Sequence, residues 1–160
     1  MNNYCNTLTE NAMDFEIKGF KDWQSNEGGG YQFNLYFNKR KFAWVHNAGE
    51  GGMIDMTFAD SDSTWKDSPF KSIWDEYVKS LGQWKSSFSE DSYDYCTDTA
   101  IGEMVEQYEF AKVLKKARKK GVPFRLLADP PLEFSTVTTL DPVLAQKWLD
   151  DNYPNNYELL

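Results

Sequence analysis

Tyr31-Gln32-Phe33-Asn34-Leu35-Tyr36-Phe37-Asn38 is the stretch that decides the architecture. Tyr31, Phe33, Leu35 and Phe37 fall on one side of an extended chain, and Gln32, Asn34, Tyr36 and Asn38 on the other. That period of two reads as a half-buried β-strand. Asn38-Lys39-Arg40-Lys41 then reads as a hairpin turn, because Asn tolerates the left-handed backbone such turns need. The return strand is Phe42 to Asn47, with Phe42, Trp44 and His46 on one face and Ala43 and Val45 on the other. Upstream, Met13, Phe15 and Ile17 alternate with Asp14, Glu16 and Lys18, and Gly28-Gly29-Gly30 breaks the chain. Downstream, the loop Asn47-Ala48-Gly49-Glu50-Gly51-Gly52 leads into Met53 to Phe58, which alternates through Ile54, Met56 and Phe58. Together these segments predict a four-stranded antiparallel meander.

Helical spacing takes over after the meander. Ser68-Pro69 is a start signal, a capping hydroxyl followed by a ring pre-set for the first helical position. Phe70, Ile73, Trp74, Tyr77, Val78 and Leu81 share one face, expected to lie on Phe33, Leu35 and Phe37, with Gly82 as the stop. Residues 85–97 read as a polar connecting loop. Asp98 to Lys120 reads as a second helix whose apolar stripe changes sides. Ile101, Met104, Val105 and Tyr108 occupy one face, and Phe110, Val113, Leu114 and Ala117 the opposite one. Either the helix breaks near Glu109 or its ends pack on different neighbours, and Gly121 ends it as a left-handed cap. Val122 to Ala128 and Leu132 to Thr139 predict two more strands, Asp141-Pro142 opens a short helix to Tyr153, and Tyr157 to Leu160 is a terminal strand. The expected fold is α+β, an antiparallel sheet packed against two to three helices in the order ββββ-αα-ββ-α-(β). It is read as one domain over residues 1–160, with residues 1–12 a flexible N-terminus.

Composition excludes several classes. The aromatic share is 16%, far too rich in rings for a disordered chain. A net charge of −8 from 17 basic and 25 acidic residues argues against general nucleic-acid binding, which rewards Lys and Arg. There is no apolar run of about 20 residues and no basic-then-apolar leader, so neither a membrane span nor secretion is expected. Cys5 and Cys96 make no disulfide scaffold. They fit reduced thiols of a cytosol, and one bridge in an oxidising compartment stays open.

Most catalytic patterns fail. There is no phosphate-binding P-loop, and Ile54 stands where a dinucleotide fingerprint through Gly49, Gly51 and Gly52 needs glycine. Asp60-Ser61-Asp62-Ser63-Thr64 resembles a calcium loop, but Trp65 replaces its turn glycine and Lys71 its closing glutamate. His46 is the only histidine, so no two-histidine metal site exists and one residue alone is a candidate general base. No metal and no cofactor is expected, and an enzyme using His46, with Cys96 its sharpest partner, ranks third among the readings.

Three features remain as candidate binding sites. The loop Asn47 to Gly52, with Gly49, Gly51 and Gly52 and the rings of Trp44 and His46 beside it, is either a flexible turn or a backbone cradle for an anion. The basic run includes Lys112, Lys115, Lys116 and Lys119. It follows the acids Asp98, Glu103, Glu106 and Glu109, which suits the helix dipole and equally makes an anion-binding patch. The segment Ser89 to Asp98 sets Glu90, Asp91 and Asp94 around Tyr93 and Tyr95, either a soluble linker or a mimic of a nucleic-acid backbone.

Gly28-Gly29-Gly30-Tyr31 through Phe33-Asn34-Leu35-Tyr36, followed by Asn47 to Gly52, resembles small proteins carried by bacteriophages and prophages, over residues 18 to 58. The resemblance implies a short accessory protein in a bacterial cytosol, a class that often inhibits host defence. It carries no functional residue with it. The leading expectation is a non-enzymatic protein that binds and inhibits a macromolecular partner, one that handles nucleic acid. Trp and Tyr recur at interface hot spots, and the two-signed charge suits a specific partner. The alternative is a binder of a nucleotide or other small anion through Asn47 to Gly52.

Overall fold

The structure is a computed structural model that describes residues 15–61, 68–86 and 88–160. Met13, Asp14, Cys5, the N-terminal residues 1–12 and Asp62 to Trp65, on which expectations fell, lie outside the described residues. The chain divides into two compact units, Met1–Gly102 and Glu103–Leu160.

In the first unit, β1 (Phe15–Gln24), β2 (Gly29–Phe37), β3 (Arg40–Asn47) and β4 (Asp55–Phe58) form the expected antiparallel meander. Asn38 and Lys39 both have left-handed backbones, at φ 48° and 65°. With Phe37 paired to Arg40, that makes the tight two-residue turn whose twist matches the strands. Two bulges reset the faces. One falls between Lys18 and Lys21, around Gly19 at φ 65°, and the other opposite Leu35 and Tyr36.

The second bulge corrects the reading of β3. Phe42 was expected beside Trp44 and His46, but one extra residue turns it to the other side. It is buried with Ala43 and Val45, next to Phe37, Phe58 and Phe70.

α1 (Pro69–Ser80) begins as its sequence predicts, with the Ser68 hydroxyl accepting from the Lys71 amide at 3.0 Å. Asp60 fastens the same end, accepting from the Ser68 hydroxyl at 2.5 Å and the Phe70 amide at 2.9 Å. The helix stops where Gly82 turns left-handed at φ 74°. Trp74 is fully buried, edge-on to Phe15 at 5.6 Å, while Phe70 stacks on Phe42 at 4.9 Å. The ring contacts of the helix run through Phe15 and Phe42, which lie with Phe37 on the sheet face that also buries Phe33 and Leu35, the face expected to receive it. Ile73, expected in the core, is 36% exposed. Burying each such ring is worth about 1.5–3 kcal/mol.

The segment read as a polar loop is structured. β5 (Gln83–Lys85) and β6 (Ser92–Asp94) pair antiparallel. Trp84 faces Tyr93 with ring centres 5.4 Å apart, and Gln83 donates to Asp94 at 3.0 Å. Three-residue strands are too short to show a period, which is why the sequence reads as a loop.

α2 (Thr97–Ala117) is one unbroken helix that crosses from the first unit into the second. Its first turn buries Ala100 and Ile101, and its Asp98 accepts from the Ile54 amide at 3.2 Å. The reversal of the stripe thus occurs without a break. Within the second unit Phe110 meets Phe134 edge-on at 5.6 Å. Gly121 is no left-handed cap, since α2 already ends at Ala117. Gly121 is needed for space: a Cβ there would lie 2.1 Å from the Val137 carbonyl.

In Glu103–Leu160, β7 (Val122–Leu126) lies between β8 (Ser135–Val137) and β9 (Tyr157–Leu159). Arg125 and Glu158 pair across β7 and β9. α3 (Pro142–Asn152) is capped by the Asp141 carboxylate, which accepts from the Val143 amide at 2.9 Å. Ala145, Leu149 and Phe124 form the small core, with Trp148 and Tyr153 around Phe124.

Candidate binding face

Cross-strand partners share a face, so the registers define the side of the sheet turned away from Phe33, Leu35 and Val45. Lys18 pairs with Asn34 and Asn34 with Trp44, while Lys21 pairs with Gln32 and Gln32 with His46. Trp44 and His46 in turn oppose Thr57 and Asp55. The bulge at Gly19 completes this face. A straight alternation from Phe15 and Ile17 would send Trp23 inward and Phe20 outward. The extra residue reverses both: Phe20 stacks near Phe33 at 6.0 Å, and Trp23 comes out beside His46.

The result is a row of three rings. His46 stacks on Trp44 at 5.2 Å with planes 15° apart, and on its other side meets Trp23 at 5.6 Å and 30°. Trp23 and Trp44 remain 36% and 37% exposed. Solvated sheet faces ordinarily carry polar side chains, so such a row needs an occupant or a reason. Charge on this face is mixed: Lys18 pairs with Glu16 at 3.1 Å and lies over the Tyr36 ring, Lys21 stands opposite Gln32, and Asp55 sits 3.8 Å from His46 Nδ1. That last distance is too long for a hydrogen bond.

The two glycine-rich stretches prove to be one assembly at the end of this row. The Ser25 hydroxyl reaches the carbonyls of Gly28 at 2.8 Å and Gly49 at 2.6 Å, and accepts from the Gly28 amide. Gly49, at φ 78°, packs so closely that a Cβ would sit 2.6 Å from the Gly30 nitrogen. The Asn47 side chain accepts from the Gly49 amide at 2.8 Å. That occupies one of the donors an anion cradle would offer, while Gly51 and Gly52 stay exposed. The loop's evident work is to lock β1 to β3 beneath Trp23, whose indole Nε1 donates to the Ala48 carbonyl at 3.4 Å.

The other candidates lie apart from the ring row in the contacts they make. Cys96 bonds to Thr99 at 3.3 Å, and His46 packs against two indoles, so the structure does not join them as a catalytic pair. The Thr99 hydroxyl holds the Cys96 thiol below its usual value, helped by a backbone hydrogen bond at the start of α2. Among the described residues no three of His, Cys, Asp and Glu gather into a metal site. Glu90 and Asp91 are exposed on the β5–β6 connection, where Phe88 stands 98% exposed. Asp94 and Tyr95 line a cavity of about 510 Å³ together with Cys96 and Lys79. Lys112, Lys115, Lys116 and Lys119 are all exposed, and Lys112 lies over the Tyr108 ring at 5.6 Å. No helix among the described residues is long and apolar enough to cross a membrane.

Of the sequence candidates, Trp44, His46, Asn47 and Gly49 come together, and Trp23 is the member that sequence reasoning missed. Its only signal was Gly19, a residue free to adopt the bulge conformation. Comparison with protein-family models, characterised proteins and solved structures gives no match, so function rests on this geometry.

Proposed function

We propose that this is a non-enzymatic binding protein that docks a protein partner on the ring row Trp23–His46–Trp44. The observation that carries the reading is the row itself: two half-exposed indoles, pre-stacked through one imidazole, on an otherwise polar face. Rigid aromatic side chains lose little entropy on binding and concentrate interface energy. His46 packs against both indoles, which leaves their exposed parts as the surface a partner would meet. The chain's net charge of −8 disfavours a phosphate-bearing partner. Following the likeness of residues 18 to 58 to phage-borne proteins, the partner belongs to a bacterial host, is a nucleic-acid-handling or defence protein, and is inhibited by occupation.

A second reading, a bound nucleotide or small anion at Asn47 to Gly52, draws support from the exposed Gly51 and Gly52. Native mass spectrometry of the protein purified from bacterial cells separates the two. A protein-sized adduct lost on replacing Trp44 supports the first reading. A co-purifying anion of nucleotide mass, retained in that variant, overturns it.

A further inference from the structure

A second cavity lies on the opposite side of β3, at the Asn38-Lys39 turn. It measures about 410 Å³, and its apolar lining comes from Phe37, Phe42, Phe70 and Ile73. The rings are held in place: Phe70 is stacked on Phe42 at 4.9 Å, and Phe42 lies 5.7 Å from Phe37. Among the described residues, the charged ones that line it are Arg40 and Lys41, with no carboxylate beside them. In a chain of net charge −8 that is an unusual lining, and neither cation has an ion pair among the described residues. Arg40 and Lys41 are exposed, Arg40 opposite Phe37 and Lys41 opposite Tyr36 at the rim, and the accessible apolar lining is that of Phe37, Phe70 and Ile73, with Phe42 buried behind them.

The volume falls within the usual range for small-molecule sites. An apolar floor takes a ring, and the planar guanidinium fork of Arg40 matches a carboxylate with two parallel hydrogen bonds. We propose that this cavity binds a small aromatic carboxylate, its ring against Phe37, Phe70 and Ile73 in front of Phe42, and its carboxylate on Arg40 with the charge of Lys41 at the rim. The tight turn supports the arrangement, because left-handed Asn38 and Lys39 fold the strand end so that Arg40 pairs back with Phe37. This site shares no residue with the ring row and does not depend on it.

The test is titration of the full chain with 2-naphthoate, followed by NMR shifts of Phe42, Phe70 and the Ile73 methyls. The neutral 2-naphthalenemethanol and an Arg40→Gln/Lys41→Gln double variant serve as comparisons. The expected result is saturable shifts at those three residues and affinity at least about tenfold weaker in the double variant, the scale of charge-assisted hydrogen bonds. The alcohol should bind both proteins equally. Ile73→Trp, which fills the cavity from a half-exposed position, should abolish the shifts at Phe42 and Phe70 in a protein that still folds. Absence of saturable shifts at these residues, or equal naphthoate affinity with and without Arg40 and Lys41, overturns the proposal.

Discussion

The indole of Trp23 lies over its cross-strand partner Gly30 so closely that a Cβ at position 30 would meet Trp23 Nε1 at 2.3 Å and the Ala48 carbonyl at 2.8 Å. Glycine at 30 is thus what lets Trp23 lie down beside His46, and Gly49 closes over the same strand. Gly30→Ala should cost about 1–3 kcal/mol, the usual penalty of an overpacked site, because backbone as well as indole must move. Chemical denaturation measures the loss, and the near-ultraviolet circular dichroism of the Trp23–His46–Trp44 stack should change with it.

Trp74 joins α1 to the sheet and donates its indole N–H to the Thr97 hydroxyl at 3.0 Å. Trp74→Ala should destabilise the protein by about 3–5 kcal/mol, since it opens a cavity against Phe15 and removes that bond. A loss below about 1 kcal/mol by urea unfolding would contradict the packing described for this helix.

Lys39 holds a left-handed backbone at φ 65° on an exposed turn, where a side chain is strained and glycine is at ease. Lys39→Gly completes the Asn-Gly pair favoured in such turns. It should raise stability by about 1 kcal/mol, read as a higher denaturation midpoint at unchanged slope.

The thiol of Cys96 is exposed and hydrogen-bonded to the Thr99 hydroxyl, an interaction that lowers its pKa from the ordinary 9.0. Alkylation requires the thiolate, so its rate should reach half-maximum below that pH. Thr99→Val removes the hydroxyl and should move the midpoint upward, while Thr99→Ser should leave it in place. Iodoacetamide kinetics against pH provide the check.

Lys112, Lys115, Lys116 and Lys119 are exposed on and just after the last turns of α2, where positive charge suits the helix dipole. Replacing all four with Gln should shift stability by only a few tenths of a kcal/mol per residue, as exposed charges do. Partner binding should survive. Loss of binding, with steep salt dependence in the unaltered protein, would move the recognition site to this patch.

Most of the fold is legible in the residues because three devices speak locally. The alternation of Tyr31 to Phe37 marks a strand, Asn38 marks the turn, and Ser68-Pro69 marks a helix start. What escapes is everything that depends on one residue more or less. The bulges at Gly19 and Phe42 each add a residue and invert the face that follows, which hid Trp23 and misplaced Phe42. The short β5–β6 hairpin joins its backbone pairing to the Trp84–Tyr93 ring contact and the Gln83–Asp94 bond, contacts with no sequence period. In the site, Trp44, His46 and Asn47 were legible as neighbours on one strand. That Gly28 to Gly30 and Asn47 to Gly52 are a single clasp required the register of β1 to β3, which spacing alone does not state.

Whether the ring row is the docking face is tested most directly by capture from bacterial lysate at low salt, using the unaltered protein and a Trp23→Ser/Trp44→Ser variant side by side. Both substitutions lie on half-exposed positions, and thermal melting confirms that the variant is folded. The account predicts one stable protein partner on the unaltered chain and at least about a hundredfold less on the variant, as expected when two hot-spot rings are removed. Equal capture by the two proteins would contradict it, and so would no partner on either.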